Sequence, residues 1–374
     1  MADKLEVAIA AGGTAGHINP ALALAEELRE RGHHVTFFGQ TQKLEGTLVP
    51  AAGFDFKPIR VTGFDRARPW TVVSALVRMR RAEGVLDADF RASGAPDVAV
   101  GFGAYVEMPL MSWCRRHEVP YVLHEQNSVP GLANKTAAKG ATSVCVSLPQ
   151  AMAAFKDHIG AKTAVVVTGN PVRRSVINAS RQAGRQAFGV PEGKTMLLVF
   201  GGSLGAKHLN EGLVALKGEL LGRPDVYVVH STGKDLYEPV VASLALTKEE
   251  QARWRVMPYI DNMGEALAAA DVVLSRAGAS SIAEIAALAV PSMLVPYPLA
   301  TADHQTTNAR YVVDAGAAVL LKDEDIDTPA FAEGLLRLVD DAQCRDAMRA
   351  AARGLGQDRA AASLADQVES AALR

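Results

Sequence analysis

Short runs of apolar and β-branched residues recur along the chain, with helix-period segments between them. In the first half the runs are Leu5–Ala11, His34–Phe38, Asp97–Val100, Tyr121–Leu123, Ser143–Val146 and Ala164–Thr168. In the second half they are Met196–Phe200, Val226–His230, Trp254–Met257, Asp271–Leu274, Ser292–Val295 and Ala317–Leu321. Nearly continuous apolar strands, rather than alternating ones, are what a parallel sheet covered by helices on both faces requires. The pattern predicts an α/β chain of two Rossmann-like domains, each a doubly wound parallel sheet of six strands.

The two halves open alike. Val7–Ala11 runs into Gly12-Gly13-Thr14-Ala15-Gly16, and Met196–Phe200 runs into Gly201-Gly202-Ser203-Leu204-Gly205, about half the chain further on. Gly169-Asn170-Pro171 ends the last strand of the first half and makes a natural hinge. The expected division is therefore an N-terminal domain over 1–168 and a C-terminal domain over 169–340. Residues 341–374, rich in Ala and Arg, form one or two helices packed on the body. Open parallel sheets bind ligands at the carboxyl ends of their strands, so two facing sheets make a cleft lined by the glycine loops.

Composition narrows the picture. The 374 residues are 49% hydrophobic and 21% charged, enough for two well-filled cores and wrong for a disordered or collagen-like chain. A net charge of −2 argues against a protein whose whole surface grips nucleic acid, though not against a local basic patch. Cys114, Cys145 and Cys344 are far apart and form no C-x-x-C pair, which suits a reducing compartment and offers no zinc site. The first residues lack the basic and apolar regions of a signal peptide. The stretch from Ser281 to Ala300 is interrupted by Glu284, Pro291, Pro296 and Pro298, so it is not read as a membrane span.

Candidate chemistry gathers at predicted strand ends. Gly12–Gly16 precedes a helix expected over Asn19–Arg31, and glycines there allow close backbone approach at a helix N-terminus. The loop is either a diphosphate or polar-ligand loop or simply the tight first turn of a Rossmann-like unit. It matches neither the dinucleotide fingerprint nor the P-loop. His17 at its end is either a structural histidine or a general base. Gly101-Phe102-Gly103-Ala104-Tyr105 is a further strand-end loop, and His124-Glu125-Gln126-Asn127 is a polar tetrad at the end of another strand, costly to bury without use. His33-His34 reads as a surface turn.

In the second half, Ser275–Ser281 follows a strand and opens a helix carrying Glu284, placed about one turn in to reach a ribose-like diol or to complement the helix dipole. Gln305 and Asn308 share a helix face that suits a hydroxyl-rich ligand. Asp87-Ala88-Asp89 has the form of a metal-binding pair but lies in a charged helical segment, so it reads as solvated surface and no metal site is expected. Between Lys57 and Arg81 stand Lys57, Arg60, Arg66, Arg68, Arg78, Arg80 and Arg81 against Asp65 alone, interleaved with Phe64, Trp70, Val72, Val73, Leu76, Val77 and Met79. Such a segment is either an interfacial face drawn to anionic lipid, a core-facing helix with a basic edge, or a nucleic-acid patch.

Taken in order, Gly12–His17, Gly101–Tyr105, His124–Asn127, Thr168-Gly169-Asn170-Pro171-Val172-Arg173, Gly201–Ala206, Arg276–Ser281 with Glu284, and Asp303-His304-Gln305 resemble the peptidoglycan UDP-N-acetylglucosamine transferases that make lipid II from lipid I, the MurG family. The resemblance covers most of the chain. One departure is Ala15, where the family usually has glycine.

The resemblance implies the GT-B fold and an inverting transfer of N-acetylglucosamine from UDP-GlcNAc to the C4 hydroxyl of the MurNAc unit of lipid I. It implies that Thr14, Ala15, Gly16 and Asn127 reach the N-acetylglucosamine unit or the space beside it, while Arg173, Ser203 and the backbone at Ile260 hold uridine and phosphates. Ala279, Ser280, Ser281, Ile282, Ala283 and Glu284 would present a helix N-terminus to the diphosphate, with Glu284 on the ribose and Gln305 on sugar hydroxyls. His17 is the first candidate for general base and Glu125 the second, with neither metal nor other cofactor. The enzyme is expected on the cytoplasmic face of the membrane, held peripherally by anionic lipid through Trp70–Arg81, with other cell-wall synthesis proteins as partners. A GT-B enzyme with a soluble acceptor, a UDP-sugar epimerase, or a dehydrogenase or nucleotide-binding protein are the competing readings.

Overall fold

Strand β1 (Glu6–Ala10) sends alternate side chains to opposite faces: Val7 and Ile9 enter one core, Ala8 and Ala10 the other. The structure, a computed structural model, describes residues 4–61, 71–202 and 205–374, with the backbone alone at 71–73. Around β1 lie β2 (His34–Gly39), β3 (Asp55–Pro58), β4 (Val98–Gly101), β5 (Tyr121–Glu125), β6 (Ser143–Val146) and β7 (Ala164–Val167), all parallel, in the order β3-β2-β1-β4-β5-β6-β7. One face is covered by Ile18, Leu22 and Leu28 of the helix Ala15–Glu30; the other takes Leu86 and Phe90 of the helix Thr71–Ser93 and Leu110 and Trp113 of the helix Met108–Arg116.

A second unit repeats the plan with β8 (Thr195–Phe200), β9 (Val226–Ser231), β10 (Trp254–Met257), β11 (Val272–Ser275), β12 (Ser292–Leu294) and β13 (Ala318–Leu320). These too are parallel, in the order β10-β9-β8-β11-β12-β13. In each sheet the strand order reverses at one place, beside β1 and β4 in the first unit and beside β8 and β11 in the second. Connections leave such a switch point in opposite directions and open a crevice at the carboxyl ends. The glycine loops stand at these two places.

Several expectations need correction. The first sheet has a seventh strand, β3, whose sequence Asp-Phe-Lys-Pro is too short and polar to announce itself; it lies at the edge, where one side needs no pairing and a proline is tolerated. The chain divides after Arg173, not after 168, and the tail is not a single piece. The helix Ala342–Arg353 belongs to the second unit, whereas residues from Arg359 return to the first. There Leu364, Ala365 and Val368 of the helix Ala360–Ala372 fill the core beside β4, β5 and β6. His33 is not a surface residue: it is buried, accepts the Leu5 N–H at Nδ1 (3.2 Å) and lies 2.8 Å from Glu369 through Nε2, while Arg31 reaches Asp366 and Glu369.

Asp87 and Asp89 are half-buried rather than solvated. Asp89 pairs with Lys57 at 2.6 Å, and Asp87 accepts from the Trp113 indole and pairs with Arg91, so both carboxylates pin the long helix to its neighbours. No helix among the described residues is long and apolar enough to cross a membrane.

Candidate active site

In the first unit, two loops at the switch point are held from beneath by buried acids. Glu45, buried, accepts the Gly13 N–H at 3.2 Å, and a Cβ on Gly12 would fall 2.5 Å from its Oε1. Glu107, also buried, accepts the Gly103 N–H at 2.6 Å, and a Cβ on Gly101 would fall 2.4 Å from its Oε2. A side chain at 12 or 101 would have to displace the acid from the backbone N–H it accepts. A carboxylate under Gly12–Gly16 also takes a backbone N–H that a phosphate would need and repels an anion. That favours a neutral polar ligand over a diphosphate at this loop.

The helix expected from Asn19 begins earlier, at Ala15, so Ala15, Gly16 and His17 form its first turn. Thr14 is the N-cap by position, yet no side-chain capping bond forms; its hydroxyl lies 2.9 Å from Nδ1 of His17. His17 is half-buried at the loop, beside Gly103. Burial lowers its pKa below the ordinary histidine value, partly offset by a hydrogen bond with the Gly12 backbone. Burial thus favours the neutral ring, the state a general base needs.

The tetrad at the end of β5 divides in two. His124 is fully buried, sits 3.0 Å through Nε2 from the Gly169 carbonyl, and burial pulls its pKa down to about 4. Gln126 is buried too and donates to the Phe102 carbonyl. Glu125 accepts from the Asn127 N–H (3.0 Å), the Gly131 N–H (3.1 Å) and Asn134 Nδ2 (2.8 Å). With both oxygens engaged, this buried acid braces the loop that follows β5. Asn127 alone of the four is partly exposed. Arg173 lies in the first unit, its guanidinium on Glu26 at 2.8 and 3.0 Å.

In the second unit, the helix Ala279–Ala287 follows β11 and starts from Gly278, which offers no side-chain cap. Its first N–H groups, those of Ala279, Ser280 and Ser281, have no intrahelical acceptor, and such an end favours an anion. Ser280 Oγ is buried without a partner. Ile282 and Ala283 are buried, so their share in the helix N-terminus is through the backbone. Glu284 is half-buried, just over one turn into the helix.

Gln305 accepts through Oε1 from the N–H groups of Ala277 (3.2 Å) and Tyr297 (2.9 Å), tying the loops after β11 and β12 together and leaving Nε2 as the end that can donate to a hydroxyl. Asn308, expected on the same accessible face, is buried. Ile260 follows β10 with its side chain in the core, so only its backbone can be presented. Ser203 lies outside the described residues, as do Phe64, Arg66, Arg68 and Trp70 of the basic segment and the side chains of Val72 and Val73.

Sequence reasoning missed Glu45, Glu107 and Asn134. Glu107 had a signal: it is the lone acid in the apolar stretch from Val106 to Leu110, directly after a glycine loop. Glu45 had none, because its partner loop is far away in sequence.

Two domain families match this chain: the glycosyltransferase family 28 N-terminal domain over residues 7–146 and the family 28 C-terminal domain over residues 196–368. A protein of Halothermothrix orenii, named UDP-N-acetylglucosamine–N-acetylmuramyl-(pentapeptide) pyrophosphoryl-undecaprenol N-acetylglucosamine transferase, is 36% identical across 98% of this chain and 99% of its own length. The transferase of the same name from Salinibacter ruber is 39% identical across 96% and 94%. The crystal structure of MurG from Acinetobacter baumannii superposes with a TM-score of 0.73 at 28% identity, covering 98% of this chain and 99% of that one. The calicheamicin glycosyltransferase CalG4, 19% identical with a TM-score of 0.69, shares the fold, two parallel-sheet units of GT-B type. With both domain models matched and relatives of this identity covering nearly the whole chain, it belongs to glycosyltransferase family 28, in the MurG family of UDP-N-acetylglucosamine transferases.

Proposed function

We infer that this chain is an inverting glycosyltransferase that moves N-acetylglucosamine from UDP-GlcNAc to the C4 hydroxyl of the MurNAc unit of undecaprenyl-pyrophosphoryl-MurNAc-pentapeptide, making lipid II for peptidoglycan. The observation that carries this reading is the end-to-end similarity to transferases of that name. The second unit, with the uncapped helix after β11, holds the sugar nucleotide; the first unit takes the acceptor.

His17 is the general base. With its Nδ1 edge turned to Thr14, the ring offers Nε2 as the basic nitrogen. As Nε2 accepts the C4 hydroxyl proton, the oxygen bonds to the anomeric carbon and the bond from that carbon to the diphosphate oxygen breaks. UDP leaves with the electron pair. Helix N-H groups at Ala279–Ser281 stabilise the charge that develops on it. Asn127 and the first turn at Thr14, Ala15 and Gly16 contact the sugar or acceptor, Glu284 the ribose, and Gln305 sugar hydroxyls through Nε2. Arg173, Ser203 and the Ile260 backbone complete the nucleotide contacts, and Arg173 must exchange Glu26 for its phosphate to do so.

The protein works at the cytoplasmic face of the membrane as a peripheral enzyme. Supporting this, Leu76, Val77 and Val85 of the long helix are 45–52% exposed beside the exposed Arg78, Arg80 and Arg81. A cavity of about 930 Å³ there is lined by Lys43, Arg60, Arg78 and Arg81 above Ile59 and Ala82. Apolar side chains among cations match the interface of an anionic bilayer.

The deciding experiment measures UDP release with a short-chain lipid I analogue, for wild type and His17→Ala. Acceptor-dependent release that falls about 100-fold or more in the variant, with UDP binding intact, is expected of a general base. Release only with a soluble sugar acceptor would replace the lipid acceptor by the competing reading, and full activity in the variant would remove His17 from the chemistry.

A further inference from the structure

In the second unit one carboxylate connects two of the loops that surround the proposed nucleotide site. Asp323 stands just after β13, in the short turn Asp323–Asp325. Its Oδ2 lies 2.8 Å from Nδ1 of His208, the second residue of the helix Lys207–Ala215 that follows the glycine loop of β8. Its Oδ1 lies 2.5 Å from Nη1 of Arg276, the residue after β11. Arg276 is buried and also donates to the carbonyls of Val295 and Pro296, after β12. Strands β8, β11, β12 and β13 are consecutive in the sheet. Asp323 therefore joins the carboxyl ends of four neighbouring strands through two cations.

His208 faces a second acid. Its Nε2 lies 3.1 Å from Asp327 Oδ2, so both ring nitrogens meet carboxylates. A neutral imidazole has one N–H and can satisfy one of them; only the imidazolium donates to both. The remaining charges near it on its own helix, Lys207 and Glu211, pair with each other at 3.7 Å, and the helix Tyr237–Leu244 packed alongside carries Glu238, which is exposed. Asp323 and Asp327 act together to raise the pKa of His208 above the ordinary value.

We propose that His208 and Asp323 are positioning residues that latch the start of the helix Lys207–Ala215 to the Arg276 loop, so that the nucleotide meets both already placed, and that the latch loosens when His208 loses its proton. This rests on the donor-site reading above. With His208 doubly protonated, less freedom is lost on binding; with one N–H left, Asp323 and Asp327 compete for it and the tie from Asp323 to the helix Lys207–Ala215 weakens.

The test is calorimetric titration of UDP into the full-length protein across about pH 6 to 8, for wild type and His208→Gln. The variant keeps a single amide donor and does not titrate, and the protonation of UDP itself cancels in the ratio of the two dissociation constants. That ratio is expected to be about fivefold in favour of wild type at the acid end and to shrink toward one as pH rises. Asp323→Asn, assayed with the sugar nucleotide, should raise KM by about fivefold or more with kcat little changed. A ratio of one throughout, or a ratio that does not move with pH, overturns the latch while leaving the donor site standing. Failure of wild type to bind UDP at any pH overturns the donor-site reading and the latch with it.

Discussion

The Thr14 hydroxyl lies 2.9 Å from Nδ1 of His17, so the residue at the N-cap position of the first long helix directs its side chain to an imidazole instead of to a helix N–H. The first turn is left open, and the ring is fixed by the loop that precedes it. In the proposed mechanism Thr14 orients the base. Thr14→Val, close in shape but without the hydroxyl, should lower kcat by about fivefold, the worth of one ordinary hydrogen bond, while leaving UDP affinity unchanged. An unchanged kcat would show that the ring needs no such partner.

The pH dependence follows from the burial of His17. Its pKa lies below the ordinary 6.5, and a base works only when unprotonated. The His17-dependent rate should be level through neutral pH and fall on the acid side, with its midpoint below 6.5. A midpoint above neutrality, in a profile of kcat/KM for the acceptor, would contradict the assignment.

Glu107 makes a stability prediction. Burial pushes its carboxyl up to about 8, against an ordinary value of 4.5. The folded protein then keeps a proton that the unfolded chain has lost, so the contribution of this group to stability is full below about pH 4.5 and declines as pH rises toward 8. Glu107→Gln can still accept from the Gly103 N–H and carries no titrating group. Melting curves should show the variant gaining on wild type as pH rises from 5 to 8; a constant gap across that range would argue against a protonated Glu107.

The last helix is part of the first unit's core, and its removal should be felt there. Leu364 is fully buried beneath the first sheet, so Leu364→Ala should cost about 2–5 kcal/mol in denaturant unfolding. A loss under 1 kcal/mol would mean that the helix is dispensable to that core.

Membrane attachment can be read from vesicle sedimentation. Replacing Arg80 and Arg81 by Glu should weaken binding to phosphatidylglycerol vesicles by about tenfold or more, since each basic residue near an anionic surface contributes about 1 kcal/mol. Binding to neutral vesicles should be weak for both proteins. Equal binding of wild type and variant to the anionic vesicles would move the contact surface elsewhere.

Much of this protein is legible in its sequence, for definite reasons. A strand buried on both faces must be apolar at every position, which is why β1, β4, β6, β8 and β11 stand out. A loop between such a strand and a helix must turn sharply, so Gly12–Gly16 and Gly201–Gly205 stand out at strand ends. The same logic conceals β3, which as an edge strand is partly exposed and free to be polar.

What tertiary structure decided is where partners distant along the chain meet. The spacing of Leu364, Ala365 and Val368 gives the last helix an apolar face but cannot say which sheet receives it; only the room beside β4, β5 and β6 settles that. The polar tetrad at β5 looked uniformly chemical, yet His124, Glu125 and Gln126 point into the first unit to meet backbone groups of other loops, and Asn127 alone looks outward. Glu45 beneath Gly12 shows the limit most clearly. The sequence determined that a glycine loop follows β1. That an acid from elsewhere fills the space of the missing Cβ, taking the Gly13 N–H and turning the loop away from phosphate, is a property of packing, which brings together groups whose separation along the chain carries no record of their contact.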